Sequence, residues 1–146
     1  MTTSTIRPAR AGDARVLAEL CGQLGYPATR QQISARLAAI EAKDAGCILV
    51  AENPQGRLLG WLHVTQAETL TAGSDAEILG LVVGEDARGN GVGTKLLNAA
   101  QDLARSRGLA NMRVRSRAER ERAHRFYQRA GFEHIKNQAA FRKSLQ

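Results

Sequence analysis

The most constraining feature of this sequence is an apolar run that leads, through a glycine-rich turn, into a clear helical pattern. Residues 76–83 are almost all apolar after Glu77, which predicts a strand buried on both faces. The turn, residues 88–94, holds three glycines, and apolar residues then recur at helical spacing until Gly108. Because the first N–H groups of a helix have no partners inside it, this order of elements favours an anion site.

The spacing within the turn excludes two common phosphate loops. It reads RGNGVGT from Arg88 to Thr94 and lacks the longer GxxxxGK[ST] spacing of a nucleoside triphosphate loop. It also lacks the third glycine of a dinucleotide fingerprint, and its strand comes halfway along the chain. Two interpretations remain: a site for another phosphorylated ligand, with Arg88 as a fixed positive charge, or a connection that binds nothing.

The other patterns predict an α+β (mixed α/β) fold and a single domain over residues 1–146. Helices are expected to begin near Asp13 and Thr29, the second of them ending at Gly46. Turn residues at 53–56 join two predicted strands into a hairpin. The predicted order is β-α-α-β-β-β-α-β-α-β-β. The predicted strands are residues 5–9, 47–51, 57–65, 76–83, 112–115, 132–135 and 140–145, with a loop at 71–75 and a fourth helix at 119–130.

Composition and charge narrow the class of protein. The 146 residues carry a formal net charge of +7, which favours an anionic partner: nucleic acid, a phosphorylated cofactor or an acidic surface. No apolar run approaches the roughly 20 residues that span a bilayer, and the N-terminus has no signal-peptide core. Cys21 and Cys47 match no metal or disulfide spacing. We therefore expect a cytoplasmic protein without a membrane segment or a structural metal.

Two motifs resemble those of one enzyme family. Arg88, Gly91 and Gly93 match the Arg/Gln-x-x-Gly-x-Gly/Ala pattern of motif A in the GCN5-related N-acetyltransferases (GNAT). Residues 123–132, AHRFYQRAGF, resemble motif B of that family, A-x-x-x-Y-x-x-x-G-F. The resemblance implies acetyl-coenzyme A (acetyl-CoA) as the acetyl donor. It also implies a twisted, mostly antiparallel sheet of about six to seven strands with a splayed parallel pair, flanked by about four helices.

The same resemblance implies which residues hold the donor. The pyrophosphate is expected on the turn, and the central strand is expected to splay at a bulge near Gly80, which frees backbone N–H groups for the thioester and pantetheine. Many relatives have an asparagine where this chain has Arg117, which either reaches a phosphate or is solvated. His124 approaches the adenosine end or lies on a solvated helix face. The implied donor-binding residues are Leu81, Val82, Val83, Arg88, Gly89, Asn90, Gly91, Val92, Gly93, Thr94, Arg117 and His124.

Acetylation of an amine needs a base for the amine, donors for the thioester oxygen and a proton for the leaving thiolate. Glu77 is the candidate base because it is the one acid within the central strand; the alternatives are an exposed acid or a salt bridge. Tyr127 stands at the family's tyrosine position and is the candidate acid, or else a core aromatic. His63 is a second base, a substrate contact or a structural histidine.

The acceptor pocket of the family is built by the first two helices, their loop and the hairpin end. In this chain those segments supply Tyr26, Trp61 and His63 as candidate substrate residues, although the first two could also be core or lid residues. No acidic cluster is evident for a polycationic aminoglycoside, so we expect a small amine, with or without an anionic group, or a peptide. The C-terminal half, from residue 76 onward, is also similar to the aminoalkylphosphonate N-acetyltransferases.

Two other functions remain open at this point. A relative without turnover would bind acyl-CoA as a sensor. The arginines between Arg105 and Arg129 could dock on nucleic acid, although neither a recognition helix nor an aromatic stacking platform is evident. A homodimer is common among relatives and is expected here on that basis alone. We do not expect a nucleic-acid or membrane partner.

Overall fold

A computed structural model describes residues 3–116 and 120–146 of the chain. These residues form two compact units, of which the first ends at Val114 and the second begins at Arg115. The predicted donor-binding residue Arg117 lies outside the described residues. That the whole chain forms a single domain stays a prediction.

The helices and strands follow the predicted order over most of the chain. The helices are α1 (Ala14–Leu24), α2 (Arg30–Ala42), α3 (Val92–Ser106) and α4 (Glu121–Arg129), with short 3₁₀ turns at Ala11–Asp13 and Glu85–Ala87. The strands are β1 (Thr5–Pro8), β2 (Gly46–Glu52), β3 (Leu58–Thr69), β4 (Gly73–Val83) and β5 (Met112–Val114).

The strands form one sheet in chain order, from β1 to β5. Neighbouring strands are antiparallel except for β4 and β5, which run parallel. A parallel pair needs a crossover connection, and α3 supplies it. This architecture confirms the predicted α+β fold class, with fewer strands among the described residues than expected.

Helices cover both faces of the sheet. On one face, α1 and α2 bury an apolar cluster against β2, and Trp61 of β3 packs against it. On the other face, Leu96 of α3 is fully buried, and its Cδ1 would lie 3.4 Å from a Cβ added to Gly60. Two buried layers therefore fix which way each strand residue points. The buried residues of the first cluster include Leu17, Ile33, Leu37 and Val50.

Local signals explain the ends of the first two helices. Thr29 Oγ1 accepts a hydrogen bond from the Gln32 N–H at 3.1 Å, and Gln32 Oε1 accepts one from the Thr29 N–H at 3.0 Å. This reciprocal capping box starts α2 where the sequence predicted. Gly25 ends α1 with a φ of 98°, in the left-handed region that glycine favours.

Arg7 ties β1 to β2 and to the start of α1. Its guanidinium donates two hydrogen bonds to Asp13, at 2.9 and 3.0 Å, and one to Glu52 at 2.5 Å. Burial raises the pKa of Asp13, but hydrogen bonds from Arg7 and from the Arg10 N–H outweigh it, so the pKa lies below the ordinary 3.8. Asp13 thus lies at the start of α1 as predicted, but its carboxylate makes no cap hydrogen bond to that helix and links other elements instead.

Two predicted boundaries are wrong, and tertiary contacts explain both. Helix α2 ends at Ala42, whereas Gly46 begins β2. A Cβ at Gly46 would lie 2.6 Å from the carbonyl oxygen of Val64, so this glycine serves the close approach of β3 rather than a helix end. The loop predicted at 71–75 is shorter, because residues 73–75 already pair with β3.

The closing strands predicted at residues 132–135 and 140–145 are not formed in the described second unit. Their large apolar side chains, Ile135, Phe141 and Leu145, are between 70% and 94% exposed. A strand needs a hydrogen-bonding neighbour, and alternation of side chains does not supply one. The expected six to seven strands are therefore corrected to five within the described residues.

Candidate active site

The glycine-rich turn opens the start of α3. Gly89 and Gly91 have φ values of 83° and 78°, and no described atom lies within 4 Å of a Cβ built on either one. The first helical hydrogen bond runs from the Lys95 N–H to the Gly91 carbonyl at 3.1 Å. The N–H groups of residues 92–94 therefore have no acceptor within the helix. These amides, with the open space before the glycines, form a cradle suited to an anion.

Two side chains of this turn donate hydrogen bonds to backbone carbonyls that precede it. Asn90 Nδ2 donates to a carbonyl of the preceding 3₁₀ turn at 3.2 Å. Arg88 Nε donates to the carbonyl of Val83, at the end of β4, at 3.3 Å, and the side chain remains exposed. Lys95 turns away, since its Nζ lies 3.4 Å from both the carbonyl and the hydroxyl oxygen of Ser4. The positive charge at the turn is therefore that of Arg88.

Strand β4 carries a bulge at the predicted place. His63 of β3 pairs with Gly80, whereas the next residue, Val64, pairs with Ile78. Leu79 is thus an extra residue on β4, and its side chain is 54% exposed. The expectation that this apolar run is buried on both faces is wrong at this position, because the bulge turns Leu79 out of the regular alternation.

Pairing between β4 and β5 stops before the bulge. Strand β5 pairs with β4 only from Ala76 to Ile78, and it ends at Val114. Residues 80–83 pair with β3 on one side and face no strand of the described sheet on the other. The predicted parallel pair is confirmed, and because β5 is paired over its whole length, the splay of the two strands stays a prediction. The unpaired edge includes three predicted donor-binding residues: Leu81, Val82 and Val83.

Three predicted site residues share one face of the sheet. Glu77 pairs with Thr65, which follows His63 by two positions, and His63 follows Trp61 by two. Alternate residues of a strand point to the same side, so all four side chains lie on one face. Trp61 packs against the cluster beneath α1 and α2, which identifies this face as the one that those helices cover.

Trp61 lies directly over Gly80. A Cβ on Gly80 would come within 2.6 Å of the indole Cη2 and 2.8 Å of Cζ3, so a glycine is required for the ring to fit. The indole Nε1 is buried without a hydrogen-bond partner among the described residues. Next to Trp61 on this face, His63 is half-buried, and burial lowers the pKa of its imidazole below 6.5. The imidazole is therefore neutral at physiological pH.

Tyr26 lies in the loop between α1 and α2. Its N–H donates to the Cys21 carbonyl at 3.0 Å, which ties the loop to the end of α1. Its side chain is 54% exposed. Of the three interpretations of Tyr26, a core residue is wrong, and a pocket-lining or a lid residue both stay predictions.

Tyr127 and His124 belong to the second unit. The Tyr127 ring contacts Phe126 and Phe132 edge-on, with centroid distances of 5.2 and 5.6 Å. Burial raises the pKa of Tyr127 to about 12, so its phenol stays protonated at neutral pH. His124 lies on the same helix, with its ring centroid 6.2 Å from that of His134.

One charged pair beside Glu77 was not predicted. Asp75 is the buried charged residue of the described core, and its Oδ2 lies 3.0 Å from Nε of Arg113. Arg113 stands opposite Glu77 in the parallel pair, so the three side chains occupy one face. The sequence does not predict this ion pair, because residue 75 falls in the predicted loop. Its pairing with Arg113 also depends on the register between β4 and β5.

A comparison with protein families identifies the family of this chain. The model of the acetyltransferase (GNAT) family matches residues 15–132. The chain belongs to this family. It is a GNAT-family N-acetyltransferase, and the family uses acetyl-CoA as its acetyl donor. A comparison with curated proteins found no match.

Solved structures share the fold over nearly the whole chain. A transcriptional regulator from Bacillus halodurans is 26% identical, with a TM-score of 0.84 over 95% of this chain and 100% of that one. A glucosamine-6-phosphate N-acetyltransferase from Arabidopsis thaliana is 24% identical, with a TM-score of 0.81 over 99% of each chain. The acetyltransferase AAC(6')-Iy, in complex with a CoA bisubstrate analogue, is 20% identical, with a TM-score of 0.85 over 98% of this chain and 99% of that one.

The GNAT turn and strand edge have the features that acetyl-CoA requires. A diphosphate needs converging N–H donors and positive charge, which the start of α3 and Arg88 offer. An unpaired strand edge can exchange hydrogen bonds with amide groups such as those of pantetheine, and residues 80–83 offer one. No group of three or more His, Cys, Asp or Glu side chains in the described ranges could hold a metal ion. Among the described helices, none is both long and apolar enough to span a membrane.

Proposed function

We propose that this GNAT enzyme transfers an acetyl group from acetyl-CoA to a primary amine of a small molecule by direct attack in a ternary complex. One observation carries the proposal: β4 aligns Glu77, the bulge, the unpaired edge and the glycine turn in sequence. A donor extended from the turn along that edge has its thioester near the bulge. The acceptor then approaches from the face that carries Glu77.

Backbone groups hold the donor in this proposal. The N–H groups of the turn bind the pyrophosphate, and Arg88 adds charge from the end of β4. Backbone groups of residues 81–83 bind the pantetheine amides, and an N–H beside the bulge stabilises the thioester oxygen as charge develops on it. Roles for Arg117 and His124 toward the phosphates and adenosine rest on the family resemblance.

Glu77 is the proposed base. It lies two residues before the extra residue Leu79, on the face beneath α1 and α2, and it is half-buried. From this position a carboxylate removes a proton from the bound ammonium, directly or through one water. The amine then attacks the thioester carbon, and the carbon–sulfur bond breaks.

Tyr127 is the proposed hydrogen-bond donor to the leaving sulfur, a role that rests on its match to the tyrosine position of the family motif. With a pKa of about 12, its phenol keeps its proton at neutral pH. Thiols have a lower pKa, of about 8.5 for cysteine, so complete transfer from this phenol to the thiolate is unfavourable. Tyr127 therefore stabilises the thiolate by hydrogen bonding, and solvent supplies the proton.

The proposed acceptor is a small primary amine, with an anionic group as the favoured variant because the net charge is +7. Trp61 and His63 line the acceptor face, and Tyr26 supplies an aromatic surface from the loop. Aminoalkylphosphonates, amino sugar phosphates, aminoglycosides and peptides are the classes to compare. A homodimer in the cytoplasm completes the proposal.

A thiol-release assay tests this function. Purified protein and acetyl-CoA are mixed with alkylamines, aminophosphonates, amino sugar phosphates, aminoglycosides and short peptides, and free CoA thiol is measured. Release with one amine class, together with the mass of its acetylated product, supports the proposal. Donor binding without release for any class indicates a sensor instead.

Nucleic-acid binding is the rival from another class, and the similar protein from Bacillus halodurans is described as a transcriptional regulator. The arginine-rich sequence between Arg105 and Arg129 is its basis in this chain. A salt-titrated gel shift with random duplex DNA measures it. Retardation that weakens steeply with salt favours the rival, and no retardation at low salt excludes it.

A further inference from the structure

Proton counting shows that two protons leave the acceptor nitrogen during the reaction. A primary ammonium nitrogen carries three protons, and the amide nitrogen that it becomes carries one. Two protons therefore leave the nitrogen: the first before attack, the second as the carbon–nitrogen bond is completed. The proposed base, Glu77, holds one proton at a time, so the second proton goes to another acceptor: the leaving thiolate, solvent or a second base.

We propose that His63 accepts the second proton, as a catalytic base that works alongside Glu77. This inference rests on the proposed function, because it concerns the same acetyl transfer. It gives a role to a histidine that lies among apolar neighbours on the acceptor face.

The register of β3 and β4 places the two bases together. Glu77 stands opposite Thr65, and His63 stands opposite Gly80, so the two bases are diagonal neighbours across the bulge. Diagonal residues on an antiparallel pair lie about 7–8 Å apart at Cα, and long side chains bridge that distance. Both point to the face beneath α1 and α2, where a single amine can contact both.

Gly80, opposite His63, makes room for the indole of Trp61 rather than for a side chain of its own. The Trp61 ring therefore lies next to His63 on the acceptor face. His63 keeps a partly exposed surface at the level of the bulge. This is the level at which the proposed donor presents its thioester.

The charged groups around His63 leave it able to accept a proton. Ile48, its partner on β2, is apolar. On the sheet, Glu77 is the nearest carboxylate by register, while Asp75 is paired with Arg113. Of the helices that cover this face, α1 places Cys21 against the core cluster, and Arg36 of α2 interacts electrostatically with Cys21.

The sequence of bond changes balances. Glu77 takes the first proton and leaves a neutral amine, which attacks the thioester carbon. The carbon–nitrogen bond forms, the carbon–sulfur bond breaks, and the sulfur leaves with the electron pair. The second proton passes from nitrogen to the imidazole of His63. Solvent protonates the thiolate, and both bases return their protons to solvent.

A comparison of two nucleophiles tests this role. The best primary amine from the thiol-release panel arrives as an ammonium and loses two protons. Hydroxylamine is largely neutral at pH 7.5, is small enough to enter any pocket that admits a primary amine, and loses one. The variants are His63→Gln, Glu77→Gln and the double variant, and His134→Gln, at an exposed site in the second unit, is the matched control.

With the primary amine, we expect His63→Gln to lower kcat at least roughly tenfold without changing the KM for acetyl-CoA. With hydroxylamine, each single variant keeps most of its activity, and the double variant loses it. Equal losses of His63→Gln with both nucleophiles indicate a structural role and overturn the proposal, as does an unchanged kcat with the amine. If His63→Gln does not fold, His63→Asn replaces it. Absence of thiol release by the unaltered protein would instead refute the proposed function.

Discussion

The proposed base catalysis depends on the carboxylate of Glu77. Glu77→Gln preserves the size and hydrogen-bonding capacity of the side chain but cannot accept a proton. We predict that kcat at neutral pH falls by roughly 10²–10⁴-fold while the affinity for acetyl-CoA is unchanged, because the donor is held by other residues. Steady-state kinetics and calorimetry measure the two effects. Glu68→Gln, exposed at the end of β3, is the control, and an undiminished kcat in Glu77→Gln refutes the base role.

At Tyr127, the role depends on a hydroxyl group. Tyr127→Phe keeps the ring contacts with Phe126 and Phe132, so folding should be preserved. We predict a decrease in kcat of up to ~10²-fold. Since the pKa of the phenol is about 12, its ionisation should cause no loss of activity in the unaltered protein between about pH 8 and pH 10. A full kcat in Tyr127→Phe would show that the ring serves packing alone.

Some site residues were predictable and others were not, for a physical reason. The turn that holds Arg88 and Gly91 was predicted because a turn is encoded by adjacent residues, whereas donor binding there stays a prediction. The pairing of Asp75 with Arg113 was missed because it depends on which strands become neighbours. The shared face of His63 and Glu77 depends on a bulge that shifts the register by one residue.

The turn before α3 gives an element-scale prediction. Gly91→Glu places a side chain and a negative charge in the cradle, at a φ of 78°. We predict at least a tenfold weaker affinity for acetyl-CoA, measured by calorimetry, through bulk and repulsion of the phosphates. Gly108→Glu introduces the same side chain at a φ of 74° after the other end of α3, so it controls for backbone strain. Normal affinity in Gly91→Glu would contradict the phosphate site.

The bulge of β4 allows a second prediction, about stability. Gly80→Ala puts a Cβ 2.6 Å from Cη2 of Trp61, so the indole or the strand must move. We predict a loss of about 1–3 kcal/mol in the free energy of unfolding, measured with urea. Trp61→Phe in the Gly80→Ala background shortens the ring and should recover part of that loss relative to Trp61→Phe alone. No recovery in the double variant would show that the ring is not the obstacle.

Elements with local signals were predicted well. The capping box of Thr29 and Gln32 and the glycine after α1 are encoded within a few residues. The closing strands at 132–135 and 140–145 were predicted from alternation alone, and no described strand pairs with them. Gly46 misled the prediction because a glycine that ends a helix and one that permits close strand approach look identical in sequence.

At the scale of the whole molecule, stability should depend on pH through His63. Burial lowers the pKa of this group in the folded state below 6.5, so the folded protein binds its proton less readily than the unfolded chain does. The stability contribution is complete above pH 6.5 and decreases as pH falls below it, by no more than about 1.4 kcal/mol per pH unit.

Urea unfolding at several pH values measures this dependence. In His63→Gln, the slope between about pH 6.5 and pH 5 should be reduced. A second loss should follow below pH 3.8 in both proteins, as Asp13, whose pKa is lowered, becomes protonated and loses its ion pair with Arg7. Identical slopes above pH 5 in the two proteins would contradict the assignment to His63.

The central claim is that this protein binds acetyl-CoA at the turn before α3, and calorimetric titration of the unaltered protein with acetyl-CoA tests it most directly. We predict one binding site with an affinity for acetyl-CoA in the micromolar range. Salt should weaken this affinity, because a protein of net charge +7 binds a polyanion. The same titration with Gly91→Glu should show much weaker heat of binding. No binding by the unaltered protein at low salt would contradict the account.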